Sequence, residues 1–132
     1  MYKLSIVTPE KIIYEEEVSS IIAPGTLGYL GIMSNHAPII TSLKPGKLMI
    51  KDNKDEVINF ALSGGFLENS SNVCTILADS AEFASDIDLE RARESLARAK
   101  QRIRNAAGEI DVGRARNAYE RAKNRLTIAK DK

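Results

Sequence analysis

The sequence predicts an α+β protein: an N-terminal β-sandwich over residues 1–84, followed by a C-terminal antiparallel two-helix hairpin over residues 85–132. Three observations carry that prediction. Short β-rich runs recur between turn signals from Tyr2 to Ala78, whereas from Leu89 onward apolar residues fall at alternating steps of three and four. Between the two patterns, Ser85 followed by Asp88 has the Ser/Thr-x-x-Asp/Glu form of a helix start, with Asp86, Asp88 and Glu90 set against the positive helix end. Charge reverses at the same joint: residues 1–84 hold six Lys+Arg against ten Asp+Glu, a net of −4, and residues 85–132 hold thirteen against eight, a net of +5. All nine arginines lie beyond the joint.

In order along the chain, the strand-like runs are Tyr2–Thr8, Ile12–Tyr14, Val18–Ala23, Ile39–Leu43, Lys47–Lys51, Val57–Leu62, Gly65–Glu68 and Val73–Ala78. Such spacing is that of a sandwich. Asp52-Asn53-Lys54-Asp55 and Asn69-Ser70-Ser71-Asn72 are clusters of residues that bond their own backbone, so each predicts a hairpin turn. Glu15, Glu16 and Glu17, with the sparse aromatics, predict a solvated outer face and not a stacking platform for bases. The glycine-rich stretch Pro24–Pro38 lacks a Gly-Lys-Ser/Thr ending and has no helix behind it, so its glycines are read as allowing positive φ and close strand approach. The lone His36 supplies no multi-histidine metal site and is expected at a turn or on the surface. Ser63-Gly64-Gly65 is not a nucleophile elbow. The single Cys74, between apolar neighbours, is expected as a buried thiol, with no disulfide within the chain. No catalytic constellation is readable, no metal is required by the chain, and no run approaches the roughly 20 apolar residues of a membrane span. Met1-Tyr-Lys leads straight into strand-like sequence, which gives the expectation of no signal peptide.

In the second half the seam is Leu89, Ala92, Leu96, Ala99, Ile103 and Ala106, repeated as Val112, Ala115, Tyr119, Ala122, Leu126 and Ala129. Ala107-Gly108-Glu109-Ile110-Asp111 separates the two with a C-cap glycine and an N-capping aspartate. Two antiparallel helices of about 20 residues, each roughly 30 Å long, follow. Every a position is large and every d position is alanine. A buried Leu contributes about 1.5–3 kcal/mol and a single methyl much less, so the packing of helix on helix is marginal while each helix keeps high intrinsic propensity. Such a hairpin is able to open as a unit. Arg91 and Arg98 occupy c positions of the first helix, and Arg121 and Arg125 occupy c and g of the second. By themselves they read as a solvated face held by pairs such as Glu94 with Arg98. The Asp and Glu among the arginines argue against nucleic acid.

Gly28-Tyr29-Leu30-Gly31-Ile32-Met33-Ser34-Asn35-His36-Ala37-Pro38, then Ser63-Gly64-Gly65-Phe66-Leu67-Glu68, then the helical tail, resemble the epsilon chains of F-type ATP synthases nearly end to end, with Ser34 where that family usually has Pro. The resemblance implies a non-catalytic rotor subunit whose sandwich joins the gamma subunit to the c-ring and couples proton-driven rotation to ATP synthesis. It implies a hairpin that permits turnover when closed against the sandwich and inhibits ATP hydrolysis when extended along gamma. Arg114, Arg116 and Arg121 would then meet acidic surface on the catalytic alpha and beta subunits. Ile87-Asp88-Leu89-Glu90-Arg91-Ala92 fits the I/L-D-x-x-R-A motif of ATP-binding bacterial members. That likeness places Asp88, Arg91 and Ala92 at ATP, a regulatory ligand, with Glu82, Arg98, Arg121 and Arg125 completing the contacts. Guanidinium forks suit phosphate oxygens, and there is no Walker lysine. The alternative keeps the rotor role and a hairpin that is structural only. The implied location is peripheral, on the cytoplasmic face of the bacterial plasma membrane, with the stromal face of the thylakoid as the alternative.

Overall fold

The computed structural model describes residues 1–104 and 112–130, and the chain divides into two compact units, Met1–Phe83 and Ala84–Lys132. The first unit holds nine strands: β1 (Tyr2–Val7), β2 (Ile12–Gly25), β3 (Gly28–Met33), β4 (Ile39–Leu43), β5 (Gly46–Asp52), β6 (Val57–Leu62), β7 (Gly65–Ser70), β8 (Val73–Ala78) and β9 (Ala81–Phe83). They run in the order β1-β8-β7-β4-β2-β5-β6-β9, with β3 on β2 and a further pairing of β1 with β2. All neighbours are antiparallel except β1 and β8, which are parallel.

Strand β2 makes the sandwich one body. Its first half pairs with β1, from Ile12↔Val7 to Val18↔Tyr2, and its second half with β5 and β3. The sequence splits this strand in two because Glu15, Glu16 and Glu17 interrupt its apolar pattern. All three are exposed, as expected, yet they stay in the ladder opposite Ser5, Leu4 and Lys3, and the Lys3 ammonium pairs with Glu15 at 2.8 Å. Two further strands escape the pattern. Strand β3 lies in the glycine-rich stretch, has a single buried side chain (Ile32), and is held mainly by main-chain pairing to β2. Three-residue β9 exists because Phe83 stands opposite Phe60, their rings 4.4 Å apart, with Tyr14 set edge-on to Phe60 at 5.7 Å.

Between the layers, Leu4, Ile6, Ile21, Ile32, Leu48, Ile50, Phe60, Leu67 and Ile76 are fully buried. The alternation in β1 and β8 that predicts strands also aims every second side chain at this core. Tyr2 is buried with its hydroxyl donating to the Ile32 carbonyl at 2.7 Å, and burial raises its pKa above the ordinary range. Cys74 is buried and free, and burial pushes its thiol up to about 12.

Both expected turns form. The Asp52 carboxylate accepts from the Lys54 and Glu56 amides at 2.8 and 2.9 Å, and Asp55 takes a φ of 61°. The second turn is tighter than expected: Ser71 and Asn72 alone form it, both at positive φ, as a two-residue type I′ turn requires. Asn69 is therefore not a turn residue. It sits buried inside β7, and its amide donates to the His36 carbonyl at 3.1 Å, fixing the loop before β4. His36 lies in that loop, half-buried, with Nδ1 2.7 Å from the Ala37 carbonyl. Ser34 accepts from the Met1 nitrogen at 2.6 Å, and the Asn72 amide donates to the Met1 carbonyl, so the Ser34 hydroxyl has a partner that a proline there would not supply. Gly65 (φ 141°) shows close strand approach at its limit, since a Cβ there would run into the Leu77 carbonyl.

The second unit begins with a 3₁₀ turn, Ala84–Asp86, and continues as α1 (Leu89–Arg104) and α2 (Val112–Lys130), which pack on each other. Helix α1 starts later than Ser85 and its cap is Asp88, whose Oδ1 accepts from the Glu90 and Arg91 amides at 3.0 and 3.2 Å. The chain before it makes one tight turn, with the Ile87 amide 3.3 Å from the Ala84 carbonyl, and that turn packs against α2. Seam alanines Ala92, Ala99, Ala122 and Ala129 are buried, while Leu89, Leu96, Ile103, Tyr119 and Leu126 are half-buried. Ile128, off the expected seam, is buried as well. The helices thus meet on their methyl faces, with the large side chains flanking the contact. The expected break Ala107–Asp111, seam residue Ala106, and the side chains of Val112, Arg114 and Ala115 lie outside the described residues.

Candidate functional site

Of the residues expected at a nucleotide, Glu82 belongs to the first unit, in the middle of β9, opposite Ala61 and half-buried, and the others distribute along the hairpin. In the hairpin, Asp88 caps α1, Arg91 lies in its first turn, and Ala92 is fully buried one residue later. Arg98 follows about 10 Å further along the axis at 1.5 Å per residue. Its Nη2 donates to Ser95 Oγ at 3.2 Å, in place of the expected pair with Glu94, and the ion pair that does form on this helix joins Arg93 to Glu90 at 3.3 Å. Arg121 is exposed and Arg125 half-buried on α2.

The end of α1 packs beside the first turns of α2: Lys100, Ile103 and Arg104 share a groove with Arg116, Tyr119 and Glu120. With the helices antiparallel in that register, the first turns of α1 lie level with the last turns of α2. Arg91 therefore belongs to the end of the hairpin away from that groove, and Arg98, Arg121 and Arg125 lie nearer its middle.

The structure divides the motif Ile87-Asp88-Leu89-Glu90-Arg91-Ala92 by task. Ile87 is buried, Asp88 caps, and Ala92 is fully enclosed at a position with no room for a larger side chain. Arg91 differs. It is exposed, and among the described residues its guanidinium has neither hydrogen bond nor ion pair. Sequence reasoning identified these residues but did not separate the three with structural work from the one without it. It also missed the Lys100–Arg116 groove, since nothing in the seam pattern shows that e and b residues of the two helices converge beside Ile103 and Tyr119. Among the described residues there is no group of three or more His, Cys, Asp or Glu able to hold a metal, and no helix is long and apolar enough to cross a membrane.

Two family models match consecutive parts of the chain: the ATP synthase delta/epsilon chain β-sandwich domain over residues 1–84 and the ATP synthase delta/epsilon chain long α-helix domain over residues 85–130. The chain belongs to the ATP synthase epsilon chain family. Among curated epsilon chains, that of Desulforamulus reducens is 45% identical over 101 residues, covering 76% of each chain. That of Carboxydothermus hydrogenoformans is 47% identical over 102 residues, covering 76% of this chain and 75% of the relative. The epsilon fold recurs at lower identity in solved structures. A chain of the Euglena gracilis mitochondrial ATP synthase OSCP/F1/c-ring assembly aligns with a TM-score of 0.82 at 22% identity, covering 98% of this chain and 80% of that one. One from the Tetrahymena thermophila mitochondrial ATP synthase central stalk and c-ring aligns at 0.62 and 20% identity, covering 98% and 93%.

Proposed function

We propose that this epsilon-family chain is a non-catalytic rotor subunit of the central stalk of a proton-translocating F-type ATP synthase, peripheral on the cytoplasmic face of a bacterial plasma membrane. Its sandwich joins gamma to the c-ring, and its hairpin inhibits ATP hydrolysis when the helices separate and reach the catalytic alpha and beta subunits. ATP favours the closed form by binding both helices at once. A ligand shifts such an equilibrium only through its differential affinity, about 1.4 kcal/mol for each tenfold change.

The observation that supports nucleotide sensing is Arg91: an exposed guanidinium, unpaired among the described residues, inside a motif whose other members are occupied structurally. Replacing Arg91 with Ala weakens MgATP binding by tenfold or more on this reading, with the hairpin still folded, because a charge-assisted phosphate contact is lost. Calorimetry with amide exchange over α1 and α2 is the test, and an unchanged affinity in the variant removes Arg91 from the site.

A second reading keeps the rotor role with a hairpin that binds no nucleotide. It is favoured by the cap made by Asp88 and the burial of Ile87 and Ala92, which account for most of the motif without a ligand. Absence of binding at millimolar ATP selects it.

A further inference from the structure

Helix α1 ends, and α2 begins, on a groove of about 410 Å³ lined by Lys100, Ile103, Arg104, Arg116, Tyr119 and Glu120, none of which belongs to the arginine set of the ATP motif. A neighbouring depression of about 360 Å³ shares Lys100 and Arg104, so these two cations stand on the ridge between the two. The groove thus carries three cations against one carboxylate. Among the described residues none of the three forms an ion pair, although Glu120 lies a single helical turn from Arg116.

Among the described residues, the three cations have Glu120 as the one carboxylate in the groove and no ion pair. Arg104 has a local reason, since with Arg102 it complements the carbonyl end of α1. Arg116 lies in the second turn of α2, whose first turn holds no acidic residue, whereas the first turn of α1 holds Glu90. Three cations converging on one groove with a single carboxylate repel one another, and an anion held between them relieves that repulsion. Tyr119 and Ile103, both half-buried, supply an apolar wall beside the cations. The volume falls within the range of small-molecule sites, about 300–1,000 Å³.

We propose that this groove is a second anion site that takes a polyphosphate group, contacted by Lys100 and Arg104 from α1 and Arg116 from α2. The polyphosphate belongs either to inorganic pyrophosphate or to a nucleotide whose base lies on the Tyr119 ring. Because the cations come from both helices, occupancy holds together the end of the hairpin opposite Arg91, whether or not the motif arginines bind ATP.

The full chain, labelled for amide NMR, is titrated with sodium pyrophosphate and separately with ATP. Saturable shifts confined to residues 100–104 and 116–120, with affinity falling about tenfold for each of Lys100→Gln and Arg116→Gln, are expected, and the binding weakens with salt. Arg91→Ala leaves these shifts in place, which separates this site from the motif site: loss of ATP effects at Arg91 alone bears only on the motif. Pyrophosphate and ATP binding equally identifies the phosphate group as the whole determinant. Tighter ATP binding that Tyr119→Ala abolishes identifies a nucleotide. No saturable shift in these two segments at about 10 mM pyrophosphate, a concentration corresponding to under 3 kcal/mol of affinity, overturns the proposal. So does an undiminished response in the Lys100→Gln/Arg116→Gln double variant, whose helicity by circular dichroism controls for folding.

Discussion

Asp88 tests whether the motif is structural or nucleotide-binding, because its carboxylate has a measurable job in the absence of any ligand. One oxygen accepts from two first-turn amides at 3.0 and 3.2 Å, and the Asp88 carbonyl accepts from the Ala92 amide at 3.0 Å as the helix begins. Truncating Asp88 to Ala removes the side-chain cap and exposes two donors, a loss of about 1 kcal/mol within a range of roughly 0.5–2 kcal/mol. Asn keeps an accepting oxygen and gives up only the charge against the helix end, about 0.3–1 kcal/mol on an exposed site and less in salt. At about 1.4 kcal/mol per tenfold change, Asp88→Ala raises exchange of the amides in the first turns of α1 by about fivefold. Asp88→Asn raises it by about two- to fivefold in low salt and by about twofold or less in physiological salt, where the charge is screened. Native-state amide exchange without nucleotide, in low and in physiological salt, separates the two. Equal effects of Ala and Asn in physiological salt would refute the capping argument, as would an Asp88→Ala chain with unchanged exchange. If Asp88→Asn then abolishes ATP binding while preserving the helix start, the carboxylate has a second role at the ligand.

Three further outcomes follow from the packing. Gly65→Ala combines a φ of 141° with a Cβ driven into the Leu77 carbonyl, so it destabilises the sandwich by about 3 kcal/mol or more in urea denaturation, while Gly31→Ala, whose Cβ would meet nothing nearer than 3.9 Å, stays within about 0.5 kcal/mol. The Cys74 thiol, pushed up to about 12 by burial, stays neutral in the native state, so its stabilising contribution is complete below about pH 9 and is lost as pH rises toward 12. Stability there falls by up to about 1.4 kcal/mol per pH unit from this group, Tyr2 adds a fall of the same sign, and Cys74→Ala shows a shallower slope; an unchanged slope would exclude the thiol as a cause. Ala92→Leu overfills a fully enclosed position and costs about 1–3 kcal/mol, read as faster exchange in both helices with the sandwich unchanged, against Ala97→Leu on the exposed side as control.

Strands written as a β-rich run between turn signals were legible in full: β4, β6 and β8 have the ends that those runs predict. Strands held by pairing partners were not. The Glu15–Glu17 part of β2 is written as surface and is a strand because β1 lies alongside it, and Ala81–Phe83 is too short to show a period. Local chemistry was also read one step too early at Ser85. Ser85 and Asp88 both suit a helix start, and the tight turn at Ala84–Asp86 selected the second. For the candidate site, the identity of the arginines was legible and their partners were not, since an i, i+4 spacing permits an ion pair without forming it: Arg98 turned to Ser95, and Arg93 took Glu90.

By itself, the sequence determined the two-part architecture, the seam of large and small residues, the family, and the charge that gathers in the hairpin, because each is a property of residue type and local period. Tertiary structure alone decided which motif residues are already employed, which half of β2 meets which neighbour, and where cations from two helices converge. Those depend on which side chains, distant in the chain, come within hydrogen-bonding or van der Waals range, and periodicity along one segment carries no information about the segment packed against it.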